Sequence, residues 1–154
     1  MVRGSIPLGG TTILFSATLK SMRIIIVGGG FAGVRVALDL AKYKNSNSKI
    51  VLISDTSHFE YHPALYRVVT GRSPLEVCIP LQDIFQGKNT EIVCDSITNV
   101  DISNHQLKGA SGSTYHYDIL ILALGSETVY FNVPGLREYS FGFKSIQEAL
   151  KLKR

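Results

Sequence analysis

The run Arg23, Ile24, Ile25, Ile26 and Val27, ended at once by Gly28, Gly29 and Gly30, constrains this chain more than any other stretch. Unbroken apolar, β-branched residues without polar alternation predict a strand buried on both faces, the condition of a parallel sheet covered on each side. After the glycines, Val34, Ala37, Leu38 and Ala41 recur at i, i+3, i+4 and i+7, one apolar face of a helix predicted to reach about Lys44. Asn45, Ser46, Asn47 and Ser48 then break it. Residues 49–54, Lys-Ile-Val-Leu-Ile-Ser, read as a second buried strand, so residues 23–54 make one strand–helix–strand unit of about 30 residues.

The turn inside that unit carries chemistry. Gly28, Gly30 and Gly33 satisfy the G-x-G-x-x-G spacing, which is weak alone and becomes specific between a buried strand and an amphipathic helix, its place here. Gly28 permits the tight turn, Gly30 lets the backbone approach a pyrophosphate, and Gly33 lets the helix pack close to the strand. The helix N-terminus offers free N–H groups and the positive end of its dipole to the phosphates. Those donors are main-chain, so Phe31 and Ala32 serve without polar side chains. Asp55 lies about 20 residues beyond Gly33, at the end of the second strand, where a carboxylate accepts hydrogen bonds from both hydroxyls of an adenosine ribose and repels a 2′-phosphate. This favours FAD or NAD over NADP. The fold class expected is α/β, a Rossmann-like domain on a parallel sheet.

Composition narrows the remaining classes. The 154 residues suit one domain, and 45% hydrophobic against 18% charged residues provides for a core and argues against disorder. The net charge of +4 is dispersed, with a basic cluster only at Lys144, Lys151, Lys153 and Arg154, so nucleic-acid binding is not expected. Cys78 and Cys94 form neither a CxxC nor a CxxxxC pair and read as core thiols. His58 and His62 are spaced i, i+4, but no HExxH pattern surrounds them and Pro63 follows, so no metal site is expected. Residues 1–21 read as a disordered leader, with Met22 a candidate start and the stretch from Ile6 to Leu19 too broken to span a bilayer.

Further along, a loop precedes a short helix over residues 65–69, and a second short helix follows Pro80 over 81–86. Residues 90–93, 96–101 and 106–108, separated by turn signals, read as an inserted antiparallel β-meander. Residues 117–125, Tyr-Asp-Ile-Leu-Ile-Leu-Ala-Leu-Gly, read as a third buried strand, and Ser145 with Glu148 forms a capping box opening a last helix to Lys153.

Three segments together resemble the N-terminal, FAD-binding half of the type II NADH:quinone dehydrogenases, within the pyridine nucleotide-dependent FAD oxidoreductase superfamily. They are the strand and glycine turn from Arg23 to Gly33, the stretch His62-Pro63-Ala64-Leu65-Tyr66 running to Thr70-Gly71, and Tyr117 to Thr128 followed by Val133-Pro134-Gly135-Leu136. The resemblance covers Met22 to the end. It implies an FAD-binding domain over residues 22–154, with the meander as its hallmark and the chain stopping before an NADH-binding domain. It also implies that Pro63 and Leu65 lie near the flavin, that the backbone at Ile97 meets the adenine, and that Ala123 and Gly125 line the cofactor where the chain crosses toward the second domain.

The activity so implied is hydride transfer from NADH to FAD and on to a quinone. The flavin does that chemistry and the protein positions it, so no catalytic side chain is expected among these residues. NADH and quinone would be partners of the full-length enzyme, which would sit in the cytoplasm or peripherally on the inner face of the cell membrane, docked through a C-terminal part beyond these residues. The family also leaves room for a homodimer. Alternatives within the fold are sulfide:quinone oxidoreductase and ferredoxin or rubredoxin reductases. From other classes come a non-catalytic FAD-binding module without an NADH site and a stand-alone NAD-binding domain.

Overall fold

The computed structural model describes residues 2–8, 11–17, 21–43 and 47–153, the first two ranges by backbone alone. Strand β1 (Val2–Leu8) pairs antiparallel with β2 (Thr11–Ala17) in a two-stranded sheet of its own. That part of the expected leader therefore has regular backbone; its other residues up to 20 lie outside the described ones.

The centre of the fold is a four-stranded parallel sheet. Strand β3 (Met22–Val27) leads through helix α1 (Phe31–Leu40) to β4 (Ser48–Ser54), alongside β3 with Ile24 beside Ile50 and Ile26 beside Leu52. After β4 come β5 (His58–Glu60), a 3-10 turn at His62–Ala64, α2 (Tyr66–Val69), a second 3-10 turn at Pro74–Glu76, β6 (Cys78–Pro80) and α3 (Leu81–Ile84). β5 and β6 pair with each other. Strand β7 (Thr90–Cys94) then joins the open edge of β4. The chain continues through β8 (Ile97–Asp101), β9 (Gln106–Gly109) and β10 (Thr114–His116), an antiparallel trio, and returns as β11 (Ile119–Leu122) on the far side of β3. The parallel sheet thus runs β11-β3-β4-β7. Helices α4 (Leu136–Tyr139) and α5 (Ile146–Leu152) close the sequence.

One expectation is corrected here. Residues 90–93 were expected to open the antiparallel meander, but they form the parallel edge strand β7, and the meander is made of β8, β9 and β10. The 35 residues joining β4 to β7, 55–89, exceed the dozen or so that a parallel crossover needs. Within that connection α3 and Phe85 seat against the sheet, so the chain re-enters it in the same direction. Ile92 then packs on one face and Val93 on the other, which a strand buried on both sides requires.

The unbroken apolar strands are explained by the two layers they separate. Ile26, Ile50 and Leu52 face α1 and α3, meeting Val34, Ala37, Leu81 and Phe85. Ile25, Val27, Val51 and Ile53 face the meander, where Leu107 meets them with Tyr115 and Tyr117 alongside. A third cluster, Leu65, Val68, Val77, Ile146 and Ala149, seats α5 against α2. At α5 the Ser145 hydroxyl accepts from the Glu148 amide at 3.2 Å, while the Glu148 carboxylate reaches the Lys144 amide at 2.6 Å, a reciprocal cap shifted by one residue from the usual box. Among the described residues no helix is long and apolar enough to cross a membrane.

Leu107 is fully buried and is the one meander residue in the buried set of its cluster. Truncating it to alanine removes the main apolar tie between meander and sheet, and a loss of about 2–5 kcal/mol is expected. Urea unfolding of Leu107→Ala checks this.

Candidate functional site

The site begins where β3 stops. Gly28 donates its amide to the Ile53 carbonyl at 2.8 Å and turns with φ of 115°, a left-handed region closed to most side chains. Its chain neighbourhood is also too tight for a Cβ, which would overlap the Ala123 carbonyl. One turn into α1, a Cβ on Gly33 would overlap the Gly28 carbonyl. The helix therefore approaches the strand end closely enough that only hydrogen fits between them. Gly30 is different: nothing lies within 4 Å of where its Cβ would be. That open side is the approach the sequence assigned to a pyrophosphate.

Helix α1 has no side-chain cap at Gly30 and no acidic residue in its first turn. The first N–H groups of a helix have no partner inside it, so these face the open space with the positive end of the dipole behind them. Gly30 and Ala32 are exposed and Phe31 is about half exposed.

Beside this turn lies a cavity of about 180 Å³ walled by Val27, Gly28, Ile53, Ser54, Asp55, Asp95, Ser96, Ile97 and Leu124. Sites that enclose a whole drug-sized ligand run to roughly 300–1,000 Å³, so this one is too small to enclose one whole. Asp55 stands exposed at its edge, just past β4. The buried Ser54 hydroxyl accepts from the Thr56 amide at 3.3 Å and bends the chain there. The structure thus brings Gly28, Asp55 and Ile97 to one cavity, although Ile97 is far from the other two in sequence.

The remaining expected residues divide. Ala123 donates its amide to the Val27 carbonyl at 2.8 Å and presses on the glycine turn, and Gly125 follows with φ of 76° and open space around it. Pro63 is exposed in the 3-10 turn. Leu65 is 1% exposed, its side chain packed with Val68, Val77, Ile146 and Ala149. The loop that carries Pro63 is tied to the glycine turn through Phe31, whose ring meets Phe59 edge-on at 4.7 Å and lies 6.0 Å from Tyr61 and 5.9 Å from His62. A half-exposed aromatic inside the glycine motif was the signal for that contact.

Asp95 was missed by sequence reasoning. It is 9% exposed, yet its carboxylate accepts the Ser111 amide at 3.1 Å, the Ser111 hydroxyl at 2.6 Å and the Tyr115 hydroxyl at 2.6 Å. The Ser111 and Tyr115 hydroxyls, outweighing the opposing effect of burial, hold its pKa down to about 2. Nothing in the sequence marks an isolated Asp between two strands as buried.

Glu60 accepts the Ile146 amide at 3.0 Å and stands 3.7 Å from His58 and 3.9 Å from His62. The two histidines lie on a strand and a 3-10 turn rather than on one helix face, and among the described residues no group of three or more His, Cys, Asp or Glu is placed to hold a metal ion. Both cysteines are free. Burial, and secondarily the Glu60 charge, pushes the Cys78 thiol up, away from the reactive thiolate. Cys94 lies by the Asp55 carbonyl.

Residues 22–154 match the model of the family described as pyridine nucleotide-disulphide oxidoreductase. The chain is 33% identical over 136 residues to the type II NADH:quinone oxidoreductase of Mycobacterium tuberculosis, covering 85% of this chain and 29% of that protein. It is 32% identical over 142 residues to the demethylphylloquinone reductase of Synechocystis, covering 86% of this chain and 35% of that one. Among solved structures, the sulfide:quinone oxidoreductase of Aquifex aeolicus superposes with a TM-score of 0.75 at 25% identity, over 86% of this chain and 31% of its own. The NDH2 of Plasmodium falciparum in complex with NADH gives 0.73 at 25%, over 87% and 28%. The chain spans about a third of the length of these proteins.

Two outcomes are expected. Gly33→Ala forces α1 away from β3 and costs about 1–3 kcal/mol, read as a lowered melting temperature. Asp95 has a folded pKa below its ordinary value of 3.8, so its contribution is complete above that value and is lost as pH falls toward about 2. Asp95→Asn should therefore flatten the fall in stability between those two pH values, measured by urea unfolding across the acid range.

Proposed function

The chain belongs to the pyridine nucleotide-disulphide oxidoreductase family, and on that premise we propose that its glycine turn and the adjoining cavity bind FAD. The observation that carries this reading is the shared wall at Gly28: on one side lie the uncapped α1 N-terminus and the open face of Gly30, on the other the cavity edged by Asp55. A dinucleotide laid across that wall puts its pyrophosphate at the helix dipole and its adenosine ribose at a carboxylate. Ser96 and Ile97 form the far side of the adenosine end. FAD is favoured over NAD by the meander packed on the sheet through Leu107 and by the Ala123-Leu124-Gly125 crossing beside the turn, both features of the flavoprotein pattern.

In the whole enzyme, bound FAD would accept hydride from NADH and pass electron pairs to a quinone. Residues of this chain contribute binding and orientation. The α1 amides hold the phosphates, Asp55 holds the ribose, and the ring group of Phe31, Phe59 and Tyr61 keeps the loop ahead of Pro63 beside the turn. NADH and quinone would be bound by the whole enzyme, and this chain spans about a third of the length of its matched relatives. A sulfide-oxidising enzyme is the second reading, supported by the likeness to the Aquifex structure. The raised Cys78 thiol and the position of Cys94 at the adenosine end weigh against it.

The purified chain titrated with FAD, by flavin fluorescence, tests the assignment. Asp55→Ala removes hydrogen bonds to a charged acceptor, roughly 1.5–3 kcal/mol, so affinity should fall about 10- to 100-fold. Preference for NAD over FAD, or unchanged FAD affinity in Asp55→Ala, would overturn it.

A further inference from the structure

Asp95 lies at the junction of the parallel sheet, the meander and the cavity, and each of its bonds has a separate target. Its amide donates to the Ser54 carbonyl at 2.9 Å, fastening the backbone to the end of β4 beside Asp55. Its carboxylate accepts hydrogen bonds from Ser111, on the turn between β9 and β10, and from Tyr115 on β10 itself, and the backbone of Ser96 also stabilises it. The next residue, Ser96, accepts the Ala110 amide at 2.8 Å. Gly109 is the notch that lets this happen, because a Cβ there would overlap the Asp95 carboxylate.

The ladder alone does not hold this corner. Ile97 is level with Gly109, but the register then shifts so that Asn99 is level with Lys108, an irregularity between Ile97 and Asn99. Such a bulge locally interrupts strand pairing, and bulges recur where a chain must present a residue to a site. Here the shift falls at Thr98, next to Ile97, which walls the cavity with Ser96. Past the Ile97–Gly109 pair and the Ser96–Ala110 bond the ladder slips, and the Asp95 tie adds a further hold on this corner.

We propose that Asp95 is a positioning residue for the adenosine end of the site: by gripping the β9–β10 turn it sets where the Ser96–Ile97 backbone stands against the ligand. This rests on the FAD reading above. Although Asp95 is part of the cavity wall, its carboxylate is engaged by Ser111, Tyr115 and the Ser96 backbone, so its effect on a ligand runs through that backbone, and it is Asp55 that meets the ribose.

Two variants separate this from a general stabilising role. Asp95→Asn keeps the shape and removes the charged acceptor; Tyr115→Phe removes one donor and does not line the cavity. Each is titrated with FAD and with ADP, which carries only the adenosine diphosphate end, and amide hydrogen exchange is followed at residues 96–99. The control is Ile146→Ala, which thins the separate cluster under α5. Expected is a loss of about tenfold for Asp95→Asn and about threefold for Tyr115→Phe, equal for FAD and ADP, with faster exchange at 96–99 and slow exchange retained in β3 and β4. Ile146→Ala, matched in melting temperature, keeps its ADP affinity. If both variants bind ADP as the parent chain does, or lose no more than the control, the positioning role is overturned while FAD binding stands. If the parent chain binds neither FAD nor ADP, the cofactor reading falls and this role with it.

Discussion

The contact on which the rest depends is the one between the first turn of α1 and the end of β3. With hydrogen in place of a side chain at Gly33, the helix comes down onto the Gly28 carbonyl, and Ala123 closes in from the other side. That approach aims the uncapped amides of α1 across the strand end and places Val34 and Ala37 on Ile26 and Leu52. Site geometry and core packing thus come from one short-range fit. A helix held even slightly further out would leave the apolar face of the sheet uncovered and the amides displaced from the cavity.

The two sides of the sheet divide the work. The helical side carries the uncapped start of α1 and the ring contacts of Phe31 with the β5 loop. The meander side carries the far wall of the cavity, held on by Leu107 in apolar contact and by Asp95 in polar contact. The carboxylate can be buried because three hydrogen bonds replace the water it loses. A hydrogen-bonded charge at that corner also has a directional requirement that apolar packing lacks, which suits a wall whose position matters.

Much of this was legible in residue order. The β3–α1–β4 unit, the glycine turn and Asp55 were readable because each depends on local rules: unbroken apolar runs, helical periodicity and residue spacing. The direction of β7 was not, since residues 90–94, Thr-Glu-Ile-Val-Cys, are too short and irregular a run to tell a meander strand from a parallel edge, and only the seating of α3 and Phe85 decides between them. β10 was overlooked because three residues, Thr114, Tyr115 and His116, carry too little pattern to mark a strand. Leu65 stands out in sequence as part of a motif, whereas its burial under α5 depends on a helix about 80 residues away.

By itself, then, the sequence determined the parallel unit, the glycine turn and the place of Asp55 at the end of β4, all set by interactions between residues close in the chain. Only the tertiary structure decided that Asp55, Asp95 and Ile97 share one cavity, that Gly109 leaves room for a carboxylate, and that Phe31 reaches the loop before Pro63. Those contacts join segments whose separation along the chain says nothing of their distance in space. They exist because both faces of the sheet must be covered, and the layers that cover it bring their loops together at the same strand ends.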